Sequence, residues 1–313
     1  MMALPRIVAF GGGHGLSATL MAVKRLTDQV TAVVTVADDG GSSGRLRQEF
    51  DCLPPGDLRM ALAALTGDDT DGRLWADVLQ SRFGGTGPLA GHAIGNLLIA
   101  GLWQSNPDPV VGLDRVGRLL DTRGRVLPMS SLPLVISADV AGVDPGKPDE
   151  VRQLSGQTRI AETDGVVLQV RLEPSDPPAC PAAVTSIMEA DYLIFGPGSW
   201  FTSVVPHLLV PDLAGAILQS PAKRICLLNL LADQETSGFT PSRHLKVLTD
   251  HCPRLTLDTV VADPRHANLD PELEAVARSL GARLMVSTVG MRDGSARHDP
   301  FLLAATLAVV MGL

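Results

Sequence analysis

Three observations predict an α/β fold with a doubly wound, mostly parallel, Rossmann-like sheet. Short apolar runs alternate with helical patterns, the runs are apolar on both faces, and glycine-rich turns stand directly behind two of them. The first strand is expected over residues 7–10 and its helix over 16–26, the second strand over 31–36, then helices over 58–65 and 92–103. In the second half, strands are expected at 192–195, 224–228 and 258–261, with helices over 202–209, 243–248 and 271–280. The middle differs. Residues 134–139, 159–162 and 166–172 read as short strands with polar alternation, set between loops rich in proline and aspartate, and they imply a small β insertion spanning about 134–175. Residues 301–313 read as a buried helix, entered through Asp299 as cap and Pro300 in the first turn. The later strands are expected to rejoin the first sheet, so that 1–313 makes one domain.

A chain of 313 residues with 45% hydrophobic content can bury a large core. The formal charge of −8 and pI near 5.3 argue against nucleic acid as a partner, because the overall field repels a polyanion. A small anion held by local dipoles stays compatible. Four cysteines, Cys52, Cys180, Cys226 and Cys252, are widely spaced without a CxxC pair, which fits a reducing cytoplasm. Residues 6–10 read as a strand rather than a leader, and the 13 residues at 301–313 fall short of a bilayer span, which needs roughly 20. A cytoplasmic location without membrane insertion is therefore expected.

The first turn reads Gly11-Gly12-Gly13-His14-Gly15-Leu16-Ser17. Its glycines let the backbone approach phosphate oxygens, and a helix starting near Leu16 aims free N–H groups and a positive dipole end at them. Ser17 adds a further donor. Read alone, Gly13 to Ala18 also satisfies the G-x-G-x-x-A dinucleotide fingerprint, with Asp38 about 20 residues later, so an NAD site competes at this point. The second turn reads Asp38-Asp39-Gly40-Gly41-Ser42-Ser43-Gly44. Its two carboxylates suit ligand hydroxyls or Mg²⁺, a hard cation; the alternative is an Asp-capped loop that bonds its own backbone. Gly196-Pro197-Gly198-Ser199 repeats the strand–turn–helix logic, and two anion cradles on one crevice would suit a diphosphate.

Arg45, Arg47, Arg59, Arg243 and Arg297 stand beside these turns or at helix starts, with Arg45 and Arg297 preferred as phosphate partners. His14, His92 and His298 lie in the same segments without zinc-like spacing, so capping or hydrogen-bonded roles are expected. Neither a GxSxG elbow nor a GxxxxGK[ST] loop occurs.

The ordered set GGGHGLS (11–17), TVADDGGSSGRLR (35–47), PPGDLR (54–59), GHAIGNL (91–97), GPGSWFTSVVPHLLV (196–210) and ETSGF (235–239) resembles the CofD-like superfamily. Within it, the chain looks like the YvcK-type gluconeogenesis factors, over nearly its whole length. It departs from their pattern at His14, where threonine is usual, at Ala93-Ile94, where serine and leucine are common, and between Asn229 and Glu235.

The resemblance implies a nucleotide-sugar ligand of the UDP-sugar class. It also implies a regulatory role in cell morphogenesis and cell-wall precursor control under gluconeogenic growth, without an established reaction. Together with the turns it places ligand or phosphate binding at Gly11, Gly12, Gly13, Ser17, Asp38, Asp39, Ser42, Ser43, Arg45, Asp57, Arg59, Asn96, Gly196, Gly198, Ser199, Asn229 and Arg297, with Asp38 and Asp39 as the pair for a metal. The resemblance specifies no cofactor beyond a compatible Mg²⁺; it is compatible with a homodimer, and it identifies no particular protein partner in cell-wall synthesis. The competing implication is the CofD branch itself, which transfers a phospholactyl-type group from a nucleotide diphosphate to a deazaflavin alcohol with Mg²⁺. Such an acceptor needs a base and a broad aromatic bed, and 4% aromatic residues give no sign of one.

Overall fold

The computed structural model describes residues 4–313. Strands in chain order among these residues are β1 (Ile7–Gly11), β2 (Val30–Val34), β3 (Arg125–Pro128), β4 (Val135–Ala141), β5 (Val151–Ser155), β6 (Val166–Glu173), β7 (Tyr192–Phe195), β8 (Lys223–Leu227), β9 (Thr259–Ala262) and β10 (Arg283–Val286). Seven of them form one parallel sheet in the order β10-β9-β8-β7-β1-β2-β3, and β5-β4-β6 form a separate antiparallel sheet. The chain thus builds outward from β1 to β3, makes the small sheet, and returns on the other side of β1 at β7. With right-handed crossovers, that reversal puts the helices of the two halves on opposite faces and leaves a crevice at the carboxyl ends of β1 and β7.

The centre of the sheet is where its sequence is most continuously apolar. All five residues of β1 are buried, and Ala9 pairs with Ala32 of β2 on one side and Ile194 of β7 on the other. Phe10 stacks on Phe195 with ring centroids 4.9 Å apart, and His207 meets Phe10 edge-on. His207 sets Nε2 3.0 Å from the Val33 carbonyl and Nδ1 3.3 Å from the Val204 carbonyl, and the neutral ring donates to one of the two. Burial pushes its pKa down to about 4, so it works here as a neutral polar rivet. Buried side chains from both sheets join one contiguous apolar cluster.

The five expected strands of the main sheet form, as do strands at 134–139 and 166–172, while β3, β5 and β10 are additional. The segment 159–162, expected as a strand, is instead part of the helix Gln157–Ala161. Asp39 explains this: its Oδ1 accepts both the N–H and the hydroxyl of Thr158, each at 3.0 Å, and holds the first helical turn in place. In the first half, the helices are α1 (Gly13–Val23), α2 (Gly41–Phe50), α3 (Pro55–Leu65), α4 (Thr70–Gln80), α5 (Ile94–Ser105) and α6 (Pro109–Leu119); α2 starts inside the segment read as a turn.

The stretch expected as a helix over 202–209 begins earlier, with a π-helical turn, Trp200–Val204, before Pro206–Leu209. The last helix runs Pro300–Met311, and Asp299 caps it by accepting the N–H groups of Phe301 (2.8 Å) and Leu302 (3.2 Å). It is not buried all round as expected: Phe301 and Val309 are 66% and 68% exposed, and the Arg25 guanidinium covers the Phe301 ring at 4.0 Å. No helix among the described residues is long and apolar enough to cross a membrane.

Candidate functional site

Where the strand order reverses, a crevice of about 660 Å³ opens between the turns that follow β1 and β7. The turns touch. A Cβ on Gly15 would stand 2.2 Å from the Pro197 carbonyl oxygen, and one on Gly12 would stand 2.3 Å from Asp57 Oδ2, so only glycine permits both approaches. Of the positions the sequence singles out, Gly12, Gly13, Ser17, Asp57, Gly198, Ser199, Asn229 and Arg297 line this crevice. Gly11 and Gly196 end or follow the strands just behind it, and the Thr19 hydroxyl donates to the Gly196 carbonyl at 2.9 Å.

On the β1 side, α1 starts at Gly13 behind Gly12, which has no side chain to cap it, and its first turn lines the crevice with the Gly13 N–H facing Asp57. The Ser17 hydroxyl donates back to the Gly13 carbonyl at 2.9 Å. Facing the same helix end is Asp57, from the first turn of α3. Burial, and next the charge of Asp38, push the Asp57 carboxyl up to about 7, against the opposing pull of the Gly13 N–H and Arg59. Asp38 accepts the Gly40 N–H through Oδ1 (2.9 Å), while its Oδ2 points to Gly56, where a Cβ would come within 3.0 Å. Arg59 behind them is buried, and its Nε has no partner. Burial, then Arg82, lower its pKa to about 10. The charge of Asp38 is felt at Asp57, while Asp39 is spent on Thr158.

The β7 side has the opposite character. The Gly198 N–H, expected to face an anion, donates to Asn229 Oδ1 at 2.9 Å, and Asn229 Nδ2 donates back to the Gly198 carbonyl at 2.8 Å. Asn229 thus clamps the turn as a second backbone strand would. The Phe201 N–H goes to Glu235 Oε1 at 2.9 Å. Glu235 is 2% exposed and its Oε2 has no hydrogen-bond partner. Burial pushes its pKa up to about 7, although the nearby Ser199 and Thr202 hydroxyls, bonded to each other, pull it down. Burial also raises the pKa of Asp233, which receives Asn229 Nδ2 at 3.2 Å.

Several predicted positions lie away from the crevice. Asp39 turns to Thr158 and lines a separate groove with Ala37, Arg47 and Val135. The Ser42 hydroxyl pairs with His92 Nδ1 (2.9 Å) and receives Asn96 Nδ2 (3.0 Å), and Ser43 accepts the Gly56 N–H (3.0 Å), so these residues tie α2 to α3 and α5. Arg45 donates to the carbonyls of Ala90 (2.8 Å) and Pro88 (3.4 Å), and Arg47 to that of Leu134 (2.7 Å). Arg243 stacks 4.0 Å over the Phe239 ring. Arg297 does reach the crevice, and it also pairs with Asp293 at 3.2 Å. His14 and His298 line the same cavity; burial drives the His298 pKa down to about 4.

Sequence reasoning passed over Gln157 and Glu235 as site residues. Gln157 comes from the helix that was expected as strand, and its buried Oε1 has no partner. Glu235 stood in a quoted motif, and only its burial singles it out. No group of three or more His, Cys, Asp or Glu suited to a metal occurs among the described residues.

Residues 7–282 match the family described as 2-phospho-L-lactate transferase CofD. A Mycobacterium tuberculosis protein named, provisionally, as a gluconeogenesis factor is 54% identical over 305 residues, covering 96% of this chain and 89% of its own. The gluconeogenesis factor of Bacillus subtilis is 37% identical over 260 residues, covering 83% of this chain and 78% of its own. A crystal structure of a UPF0052-family protein from Bacillus halodurans superposes with a TM-score of 0.85 at 33% identity, covering 98% of this chain and all of the other. With the reversed parallel sheet and its paired glycine turns, these similarities show that the chain belongs to the gluconeogenesis factors of the CofD family.

Proposed function

We propose that the chain binds a nucleotide sugar of the UDP-sugar class in the β1–β7 crevice. Through that binding it acts as a cytoplasmic regulator of morphogenesis and cell-wall precursor supply during gluconeogenic growth. One observation carries the ligand assignment: a single crevice joins an uncapped helix end, suited to phosphate, to a wall of hydroxyls and acceptors, suited to a neutral polar group. A diphosphate bearing a sugar or base presents both chemistries on one molecule. The physiological role follows the name carried by the related proteins and the motif resemblance.

Mg²⁺ fits beside the phosphate end. Asp38 and Asp57 are hard oxygen ligands whose neighbouring negative charge is costly where Asp57 is buried, and they are the residues that would hold such a cation. The ion would supply charge neutralisation there; the chain's own part is to hold the two carboxylates against the start of α1. The same pair favours a second reading, a CofD-type transfer to a deazaflavin alcohol, because paired carboxylates also suit activation of a hydroxyl acceptor.

Thermal unfolding against UDP-sugars, GDP, NAD and a deazaflavin alcohol, each with and without Mg²⁺, separates the readings. A ligand present at 100 times its Kd adds about 2.7 kcal/mol, a shift of a few degrees. Stabilisation confined to UDP-sugars is the expected result. Stabilisation by GDP or the deazaflavin that requires Mg²⁺ would favour the transferase, and stabilisation by NAD alone would overturn both.

A further inference from the structure

The wall at Ser199 carries an arrangement that phosphate binding does not use. Glu235, almost wholly removed from water in the crevice wall, spends Oε1 on the Phe201 N–H, and for Oε2 only the Ser199 and Thr202 hydroxyls stand near, short of hydrogen-bond geometry. A buried carboxylate oxygen without a donor is costly, and such groups persist where something else requires them. In front of it stand the hydroxyls of Ser199 and Thr202, bonded to each other, and both residues line the cavity. Gln157, from the small-sheet region, lines the same cavity and brings another unpartnered acceptor, its Oε1. The helix carrying it packs against both the Trp200–Val204 and the Gln234–Thr236 segments.

We propose that this wall is a subsite for an uncharged part of the ligand that donates hydrogen bonds, and that Glu235 is the positioning residue that fixes its polarity. An acceptor behind the Ser199–Thr202 pair orders the two hydroxyls: one proton is spent between them and the other is drawn to Glu235, so the pair turns lone pairs rather than a proton to the crevice. The crevice surface there accepts donors and disfavours anions. Asp233 on the same wall adds to that preference, and Asn229 has already taken the Gly198 N–H that an anion would need. The donor is an O–H or N–H group, supplied by the sugar or by the base. The assignment rests on the nucleotide-sugar reading of the crevice.

Glu235→Gln inverts the wall while keeping its shape. The new carbonyl oxygen takes the Phe201 N–H, which leaves the amide NH₂ behind the two hydroxyls and reverses their direction. Calorimetric titration would compare wild type, Glu235→Gln, Ser199→Ala and the double variant with UDP-N-acetylglucosamine, UDP and N3-methyl-UDP. The expected result is a loss of roughly 10- to 100-fold in affinity for UDP-N-acetylglucosamine in each single variant, with little further loss in the double variant because the two residues act as one unit. If the sugar is the donor, UDP itself binds all variants equally. If the base is the donor, UDP is weakened alongside and N3-methyl-UDP binds wild type as poorly as UDP binds the variants.

At pH 8, above the raised pKa of Glu235, Glu235→Gln is also expected to melt no lower than wild type, since it removes a buried charge. Wild-type affinity in Glu235→Gln overturns the assignment of Glu235 alone, as do losses that multiply in the double variant. Failure of the wild-type protein to bind either UDP compound overturns the nucleotide-sugar reading and the subsite with it.

Discussion

The two glycine turns of the crevice look alike in sequence and differ in charge. Each follows a central strand, each leads into helical structure, and they pack directly against one another at Gly15 and Pro197. At the first, an uncapped helix of 11 residues presents its positive end. At the second, a π-helical turn of five residues follows, the Gly198 N–H is consumed by Asn229, and Glu235 and Asp233 surround it. The glycine pattern specifies close backbone approach in both places. What fills the space beside the backbone gives the two turns their different polarity, and the proposed anion and donor ends of the ligand follow from it.

The sharpest way to break this arrangement is to separate the turns. Gly15→Ala places a methyl against backbone atoms of Pro197 and Gly198 that have no freedom to yield. A cost of about 3 kcal/mol or more is expected, with loss of both ligand binding and cooperative unfolding. Gly198→Ala, on the other turn, finds its nearest atoms 3.8 Å away and meets only the strain of φ +138°. Its cost is expected at roughly 1–3 kcal/mol. Melting temperatures that ranked these two in the reverse order would show that the contact at Gly15 relaxes in solution.

Asp57 sharpens the electrical side of the comparison. Its carboxyl titrates at about 7 in the folded chain, against about 3.9 for an ordinary aspartate. The folded state therefore holds the proton more tightly than the unfolded state does. The associated stability is fully present below pH 4 and is lost as the pH rises through 7. In the ligand-free protein, Asp57→Asn is expected to remove that loss and to raise stability at pH 8 by on the order of 1–3 kcal/mol, with little change at pH 4. The same variant is expected to lose any Mg²⁺-dependent part of ligand binding. A melting series over pH 4–8, repeated with UDP-sugar and Mg²⁺, checks both statements.

Asn229 is the intermediate case. Asn229→Ala removes two hydrogen bonds to Gly198 and frees its N–H. Stability is expected to fall by about 1–2 kcal/mol, and the second turn is expected to become more mobile by amide hydrogen exchange while α1 keeps its protection.

Much of this arrangement was legible in the order of residues, for a physical reason. β1 and β2 are buried on both faces, so their sequences are continuously apolar and the turns behind them stand out. Two of the strands that escaped notice lack that signature, since β5 buries only Leu154 and β10 has none of its residues buried; β3 is buried from Val126 to Pro128, but its apolar run is cut short by Arg125 and Pro128. Which of two adjacent aspartates stands beside Asp57 is decided by tertiary structure. The Asp38 side chain folds back onto the Gly40 N–H, and the next side chain is sent the other way, to Thr158. The clamp between Asn229 and Gly198 spans 31 positions and depends on β8 lying beside β7, so no local pattern announces it.

Asp38 and Asp39 provide the smallest and most discriminating comparison. Adjacent in sequence and both acidic, they serve different structures: Asp38 adds its charge beside Asp57, while Asp39 starts the helix Gln157–Ala161 from an exposed position. Asp39→Ala is expected to cost about 1 kcal/mol through loss of the bonds to Thr158. Because that helix carries Gln157 to the crevice wall, ligand affinity is expected to fall by no more than a few fold, with any dependence on Mg²⁺ unchanged. Asp38→Asn reverses the pattern, leaving the melting temperature near wild type and abolishing the Mg²⁺-dependent increment. If Asp39→Ala removed that increment and Asp38→Asn preserved it, the pairing of carboxylates across α3 would be wrong, and the metal would belong to the groove on the opposite side of the second turn.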